Sequence, residues 1–269
     1  MATTQPQVTK MDLVYKMPEA ANVEVRRDLE FPGADGRSLA MDMYLPPGKH
    51  EGPLPVVVLV TGFRDEGALA RLGCRFKDMQ SNISWARLIA ASGMAAVLYT
   101  NRAPAGDVLA LLAHVRRHAS ALGVDAGRVG LCASSGHVPT ALSALMGDAA
   151  ARVNCAALLY GFTLDLDGAT GVADQAKTFG FETPCAGRTV GDLANDVPVF
   201  FVRAGKDQFA GLNDAMDRLV AGALAANLPL TLVNHANGPH AFDLFDDTEM
   251  SREIIRRVLG FLRFQLDQV

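Results

Sequence analysis

The feature that most constrains this chain is the alternation of short, continuously apolar runs with longer stretches of helical periodicity. Pro55–Val60 (PVVVLV) is the first such run, and Ala95–Tyr99, Arg128–Ala133, Val153–Leu159, Val197–Val202 and Leu228–Val233 follow it. Strands covered on both faces need apolar residues at successive positions, as these runs supply. Between them lie stretches predicted helical: Ile83–Ser92, Asp107–Leu122, Val138–Met146, Leu212–Ala226 and Glu249–Gln265. In the fourth, Leu212, Met216, Leu219, Val220 and Leu224 recur on one face, with Asn213 and Asp214 near a helix start that favours them. Such alternation builds a mainly parallel sheet with helices on both sides. Two earlier candidate strands, Val23–Phe31 and Leu39–Leu45, are joined by the turn residues Pro32-Gly33-Ala34-Asp35-Gly36, and the first reads as a half-exposed antiparallel edge. An α/β fold with about eight strands is the expectation.

The chain has 269 residues, with no internal repeat and no linker that would divide it. Residues 1–20 read as an irregular arm and 21–269 as one domain. Apolar residues make up 49% and charged residues 20%, which supplies a large core and excludes disorder. Lys and Arg number 25 against 29 Asp and Glu, a net charge of −4, so neither nucleic acid nor an anionic membrane is an expected partner. No run approaches the ~18 apolar residues of a membrane span, and the first residues do not resemble a secretory signal. The four cysteines lack C-x-x-C spacing, so reduced thiols in a cytoplasmic protein are expected, without a structural metal.

In sheets of this kind ligands gather outside the carboxyl ends of the strands, so the residues after each apolar run carry the chemistry. Thr61-Gly62-Phe63-Arg64-Asp65 follows the first run. Ser134-Ser135-Gly136-His137 follows Arg128–Ala133 and leads straight into a helix; Arg203-Ala204-Gly205-Lys206-Asp207 and Asn234-His235-Ala236-Asn237-Gly238-Pro239-His240 follow the last two. A hydroxyl, a carboxylate and an imidazole thus stand at three strand ends in the order Ser, Asp, His. Nucleophilic catalysis by a hydroxyl needs that set: the imidazole takes the proton, the carboxylate fixes its tautomer, and backbone N–H groups hold the oxyanion.

This order, with Arg128-Val-Gly-Leu-Cys-Ala-Ser-Ser-Gly-His137, Ala204-Gly-Lys-Asp207 and Gly238-Pro-His240, resembles the α/β-hydrolase superfamily and its dienelactone-hydrolase-like and esterase branches over residues 21–266. The resemblance implies a serine esterase without a cofactor, acting on a small carboxylic ester, lactone or amide through an acyl-enzyme. It implies Ser135 as nucleophile, Asp207 as acid and His240 as base, with the N–H groups of Phe63 and Gly136 as the oxyanion hole. Ser134, one residue earlier, is the alternative nucleophile. His235 is the alternative base, and Asp214, Asp192 and Asp196 are the alternative acids. The family spells its nucleophile turn G-x-S-x-G, whereas this chain has Ala133 and His137 in the glycine places. His137 is therefore either a substrate contact or an obstacle. The second case defines the competing reading: a catalytically silent hydrolase-fold protein that binds a ligand or partner.

Residues 161–196 have weak periodicity, and a loop this long is usually functional. The family inserts caps here, so 163–195 is the expected cap, with Leu166, Phe179, Phe181 and Leu193 either lining an acyl pocket or anchoring the insert. Phe179 and Phe181, with His137, are the substrate-binding candidates. His114 and His118 have the spacing of a zinc helix, but Val115 stands where that motif needs glutamate and two arginines flank it. Cys132 lies inside a strand and reads as a packing residue. A homodimer is expected only because symmetric dimers are common.

Overall fold

The computed structural model describes residues 8–146, 153–164 and 171–268. Eight strands form one sheet: β1 (Glu24–Pro32), β2 (Ser38–Leu45), β3 (Leu54–Leu59), β4 (Ala95–Tyr99), β5 (Val124–Ser134), β6 (Cys155–Leu159), β7 (Val199–Ala204) and β8 (Leu230–His235). Their order is β1-β2-β4-β3-β5-β6-β7-β8. The β1–β2 and β2–β4 pairs are antiparallel and all others are parallel. Every residue of β4 and β6 is buried, as their unbroken apolar sequences require, whereas the edge strands β1 and β8 are largely exposed.

Nine helices among the described residues complete the fold: α1 (Asp65–Leu72), α2 (Gln80–Ala91), α3 (Pro104–Arg117), α4 (Ala119–Leu122), α5 (Val138–Leu145), α6 (Val172–Phe179), α7 (Leu212–Ala225), α8 (Phe242–Phe245) and α9 (Glu249–Asp267). The sheet separates two cores. On one face Leu111 and Leu112 of α3, Leu142 of α5 and Met216 and Leu219 of α7 pack on Val58, Leu131 and Leu158. On the other, Trp85 and Ile89 of α2 and Ile254, Val258 and Leu262 of α9 pack on Val57, Cys132 and Ala157. None of these helices is long and apolar enough to cross a membrane.

The helices depart from the sequence expectation in two ways. The predicted stretch Asp107–Leu122 is two helices, because His118 leaves helical geometry (φ −110°, ψ 17°) and its ring stacks on His114 at 4.4 Å. Helices α1, α6 and α8 have no counterpart in the predicted stretches. The N-terminal segment makes two short 3₁₀ turns, Val8–Lys10 and Pro18–Asn22, and buries Leu13 against the α2 side of the sheet.

Candidate active site

The strand–turn–helix after β5 places Ser135 at φ +54°, a left-handed conformation rarely adopted by a residue with a side chain. The strain is held by contacts too close to relax. A Cβ on Gly62 would lie 2.4 Å from the Gly136 carbonyl oxygen, and one on Gly161 would lie 2.2 Å from the Val138 side chain. The ends of β3 and β6 on either side of the turn therefore supply the glycines that Ala133 and His137 do not.

The acid and base loops are joined backbone to backbone. Gly205 N–H donates to the His235 carbonyl and Lys206 N–H to the Gly238 carbonyl, each at 2.9 Å. This brings Asp207 and His240 together: His240 Nδ1 lies 2.6 Å from Asp207 Oδ2, and His240 Nε2 lies 2.8 Å from Ser135 Oγ. The second carboxylate oxygen of Asp207 accepts the Phe209 N–H at 3.0 Å, and its side chain is fully buried. The His240 ring stands edge-on between Phe209 and Tyr160, at 4.6 and 5.0 Å between centroids.

The alternative residues are engaged elsewhere. Ser134 ends β5, paired in register with Leu159 of β6. His235 Nε2 meets Asp246 and Ser251 Oγ, both at 3.0 Å, tying the end of β8 to the start of α9. Asp192 closes a capping box with Thr189, and Asp214 sits in the first turn of α7. Cys132 is buried in β5, and burial pushes its thiol up to about 12.

Phe63 lies on the loop after β3, paired as an antiparallel bridge with Phe181, which follows α6. Among the described residues, no backbone carbonyl accepts the Phe63 N–H. Gly136 is walled by the Phe63 and Phe181 rings, each 2.8 Å from where a Cβ would stand. Beside Ser135 opens a cavity of about 330 Å³ lined by Phe63, Phe76, Phe162, Phe179, Phe181 and Phe209, with Arg64 and Arg71 among its other lining residues. Arg64 pairs with Glu182, and Arg71 donates to the Phe179 carbonyl at the end of α6, fastening the 179–182 segment to α1.

Of the residues expected to contact substrate, Phe179 and Phe181 line this cavity and His137 does not. His137 is buried under Phe63 and Phe76, and its Nδ1 accepts the Gly62 N–H at 2.8 Å, so it does not crowd Ser135. Leu193 belongs to the core between α5 and α7, and Leu166 lies outside the described residues. Sequence reasoning missed Tyr160, Trp85 and Asp243. The buried Asp243 carboxylate accepts the Tyr160 hydroxyl at 2.7 Å and the Trp85 indole N–H at 2.8 Å. Burial raises its pKa above the usual carboxylate value.

No protein-family model matches the chain, and no curated protein matches it in sequence. Solved structures do. A variant of the esterase rPPE superposes with a TM-score of 0.71 at 17% identity, over 93% of this chain and 85% of that one. A bacterial heroin esterase gives 0.71 at 16%, over 94% and 87%. A variant of LAE6, an α/β-hydrolase enzyme from the metagenome of Lake Arreo, Spain, gives 0.67 at 19%, over 89% and 81%. These neighbours do not single out a dienelactone-hydrolase branch.

Proposed function

On the premise that this chain has the α/β-hydrolase fold, we propose that it is a serine hydrolase cleaving a small carboxylic ester. One observation carries the reading: the unbroken chain Ser135 Oγ, His240, Asp207 at 2.8 and 2.6 Å, with Ser135 on a strained turn at the mouth of an apolar cavity. His240 takes the Ser135 proton as Oγ attacks the ester carbonyl, and Asp207 holds the imidazole in the tautomer that leaves Nε2 free to accept. The N–H groups of Phe63 and Gly136 donate to the tetrahedral oxyanion. His240 then protonates the departing alcohol, leaving an acyl group on Ser135, and the same imidazole activates the water that releases it. The phenylalanine-lined cavity takes the apolar part of the ester, and its volume suits a short or single-ring group. The esterases among the structural neighbours agree with this chemistry.

Labelling with a fluorophosphonate probe, followed by peptide mapping, tests the assignment. The expected adduct is on Ser135, and Ser135→Ala is expected to abolish it and lower kcat toward 4-nitrophenyl esters by about 10⁶-fold. An adduct on Ser134, or full turnover by the alanine variant, overturns it.

A further inference from the structure

His137 stands where the turn after the nucleophile usually has glycine, and its side chain does what a glycine cannot. Nδ1 accepts the Gly62 N–H at 2.8 Å from a residue that is 8% exposed. The ring is fixed edge-on by Phe63 and Phe76, at 5.0 and 4.5 Å between centroids. His137 directly follows Gly136, and Gly62 directly precedes Phe63. A single imidazole therefore joins the two chain segments that carry the assigned oxyanion donors.

We propose that His137 is a positioning residue for oxyanion stabilisation: its unprotonated Nδ1 fastens the Thr61–Gly62–Phe63 loop to the Ser135–Gly136 turn and so sets the spacing of the Phe63 and Gly136 N–H groups. This role rests on the serine-hydrolase reading. The loop's other ties lead elsewhere, since Thr61 N–H donates to the Tyr99 hydroxyl at 3.2 Å and the Gly62 carbonyl accepts the Glu182 N–H at 2.8 Å. Neither reaches the turn that bears Ser135. The two backbones are already at their closest approach, with the site of a Gly62 Cβ 2.4 Å from the Gly136 oxygen and 3.0 Å from the His137 Cα. A lost hydrogen bond there releases the loop outward. Burial pushes the imidazole pKa down to about 3, which keeps the Nδ1 lone pair available at neutral pH.

The experiment compares the wild type with His137→Leu, which has similar volume and no acceptor, and His137→Asn, whose Oδ1 takes the place of Nδ1. The readouts are hydrolysis of 4-nitrophenyl esters, inhibition by an alkyl trifluoromethyl ketone whose serine adduct carries an oxyanion, and the His137 tautomer by ¹⁵N NMR. The leucine variant is expected to lose about 100-fold in kcat with little change in KM, and to bind the ketone weaker by the same factor. Asn is expected to restore most of both. A folded leucine variant with unchanged kcat, a kcat loss without loss of ketone affinity, or an effect on KM alone overturns the proposal. Should the leucine variant not fold, the tautomer decides: a protonated Nδ1 at neutral pH in the wild type refutes the staple. A wild type with neither turnover nor ketone binding, yet with Nδ1 unprotonated, sinks the hydrolase reading and the catalytic role with it, and leaves the hydrogen bond standing.

Discussion

Gly161 and Gly62 flank the nucleophile turn from the neighbouring strands β6 and β3, and their lack of side chains lets Ser135 hold its left-handed backbone. The usual motif asks for small residues within the turn itself; here the small residues stand across the gap. The turn was legible as a short segment after an apolar run, but its departure from G-x-S-x-G was not interpretable, because the compensating glycines are 73 residues upstream (135 − 62) and 26 downstream (161 − 135). A Gly161→Ala Cβ would fall 2.2 Å from Val138 Cγ2, at the first residue of α5. Overpacking of this kind costs about 1–3 kcal/mol. The Val138 Cβ itself lies 2.4 Å from that position, so only Val138→Gly clears it, and Gly161→Ala is expected to cost less in a Val138→Gly background than in wild type. Urea denaturation of the single and double variants measures this, and a single variant as stable as wild type would refute the close-packing account.

Among the elements, the strands were readable because β-branched, continuously apolar sequences leave few alternatives. Helices α1 and α6 were not: α1 reads DEGALARL, with charges, a glycine and no strong apolar stripe, and it is shaped by what it must reach. Its first residue, Asp65, is buried beneath the loop after β3, where one carboxylate oxygen accepts the Asn101 N–H at 3.0 Å and the other has no partner among the described residues. Burial raises its pKa to about 6. A helix N-terminus favours a carboxylate by only ~0.3–1 kcal/mol, too little to offset that burial. Between about pH 4 and 6 the folded chain therefore binds a proton that the unfolded chain has released, so stability from this group falls as pH rises through that window. Asp65→Asn removes the penalty. Its advantage over wild type is expected to grow from near zero at pH 4 to about 3 kcal/mol above pH 6, judged from a shift of about two units. Chemical denaturation of both proteins across this range checks it, and parallel stability curves would contradict the assignment.

At the scale of the whole molecule, the candidate active-site face is assembled from segments far apart in sequence, and Asp243 joins them. Its carboxylate takes the Trp85 indole from α2 and the Tyr160 hydroxyl from the end of β6, while its backbone carbonyl takes the Val14 N–H of the N-terminal segment at 2.9 Å. The Tyr160 ring in turn stands edge-on to His240. None of this was readable beforehand, since Tyr160 and Trp85 look like ordinary core aromatics and Asp243 is one of 29 acidic residues. The strand-end rule finds the groups that react; it is blind to those that hold them from behind. The two donors to Asp243 differ in what else they touch, and that separates stability from catalysis. Tyr160→Phe and Trp85→Phe each take one hydrogen bond from a buried carboxylate, at a cost of ~1.5–3 kcal/mol. For a chain of this size that lowers Tm by about 3–5 °C. Tyr160→Phe also releases the anchor of the ring that stands edge-on to His240, so kcat is expected to fall about 10-fold as the imidazole loosens. Trp85 has no ring contact with His240, and its variant is expected to keep its kcat below the melting transition. Thermal melts paired with 4-nitrophenyl ester kinetics decide the matter: equal losses of kcat in the two variants would mean that Asp243 acts on the site as a whole, and a Tyr160→Phe protein melting with wild type would remove Asp243 from the account.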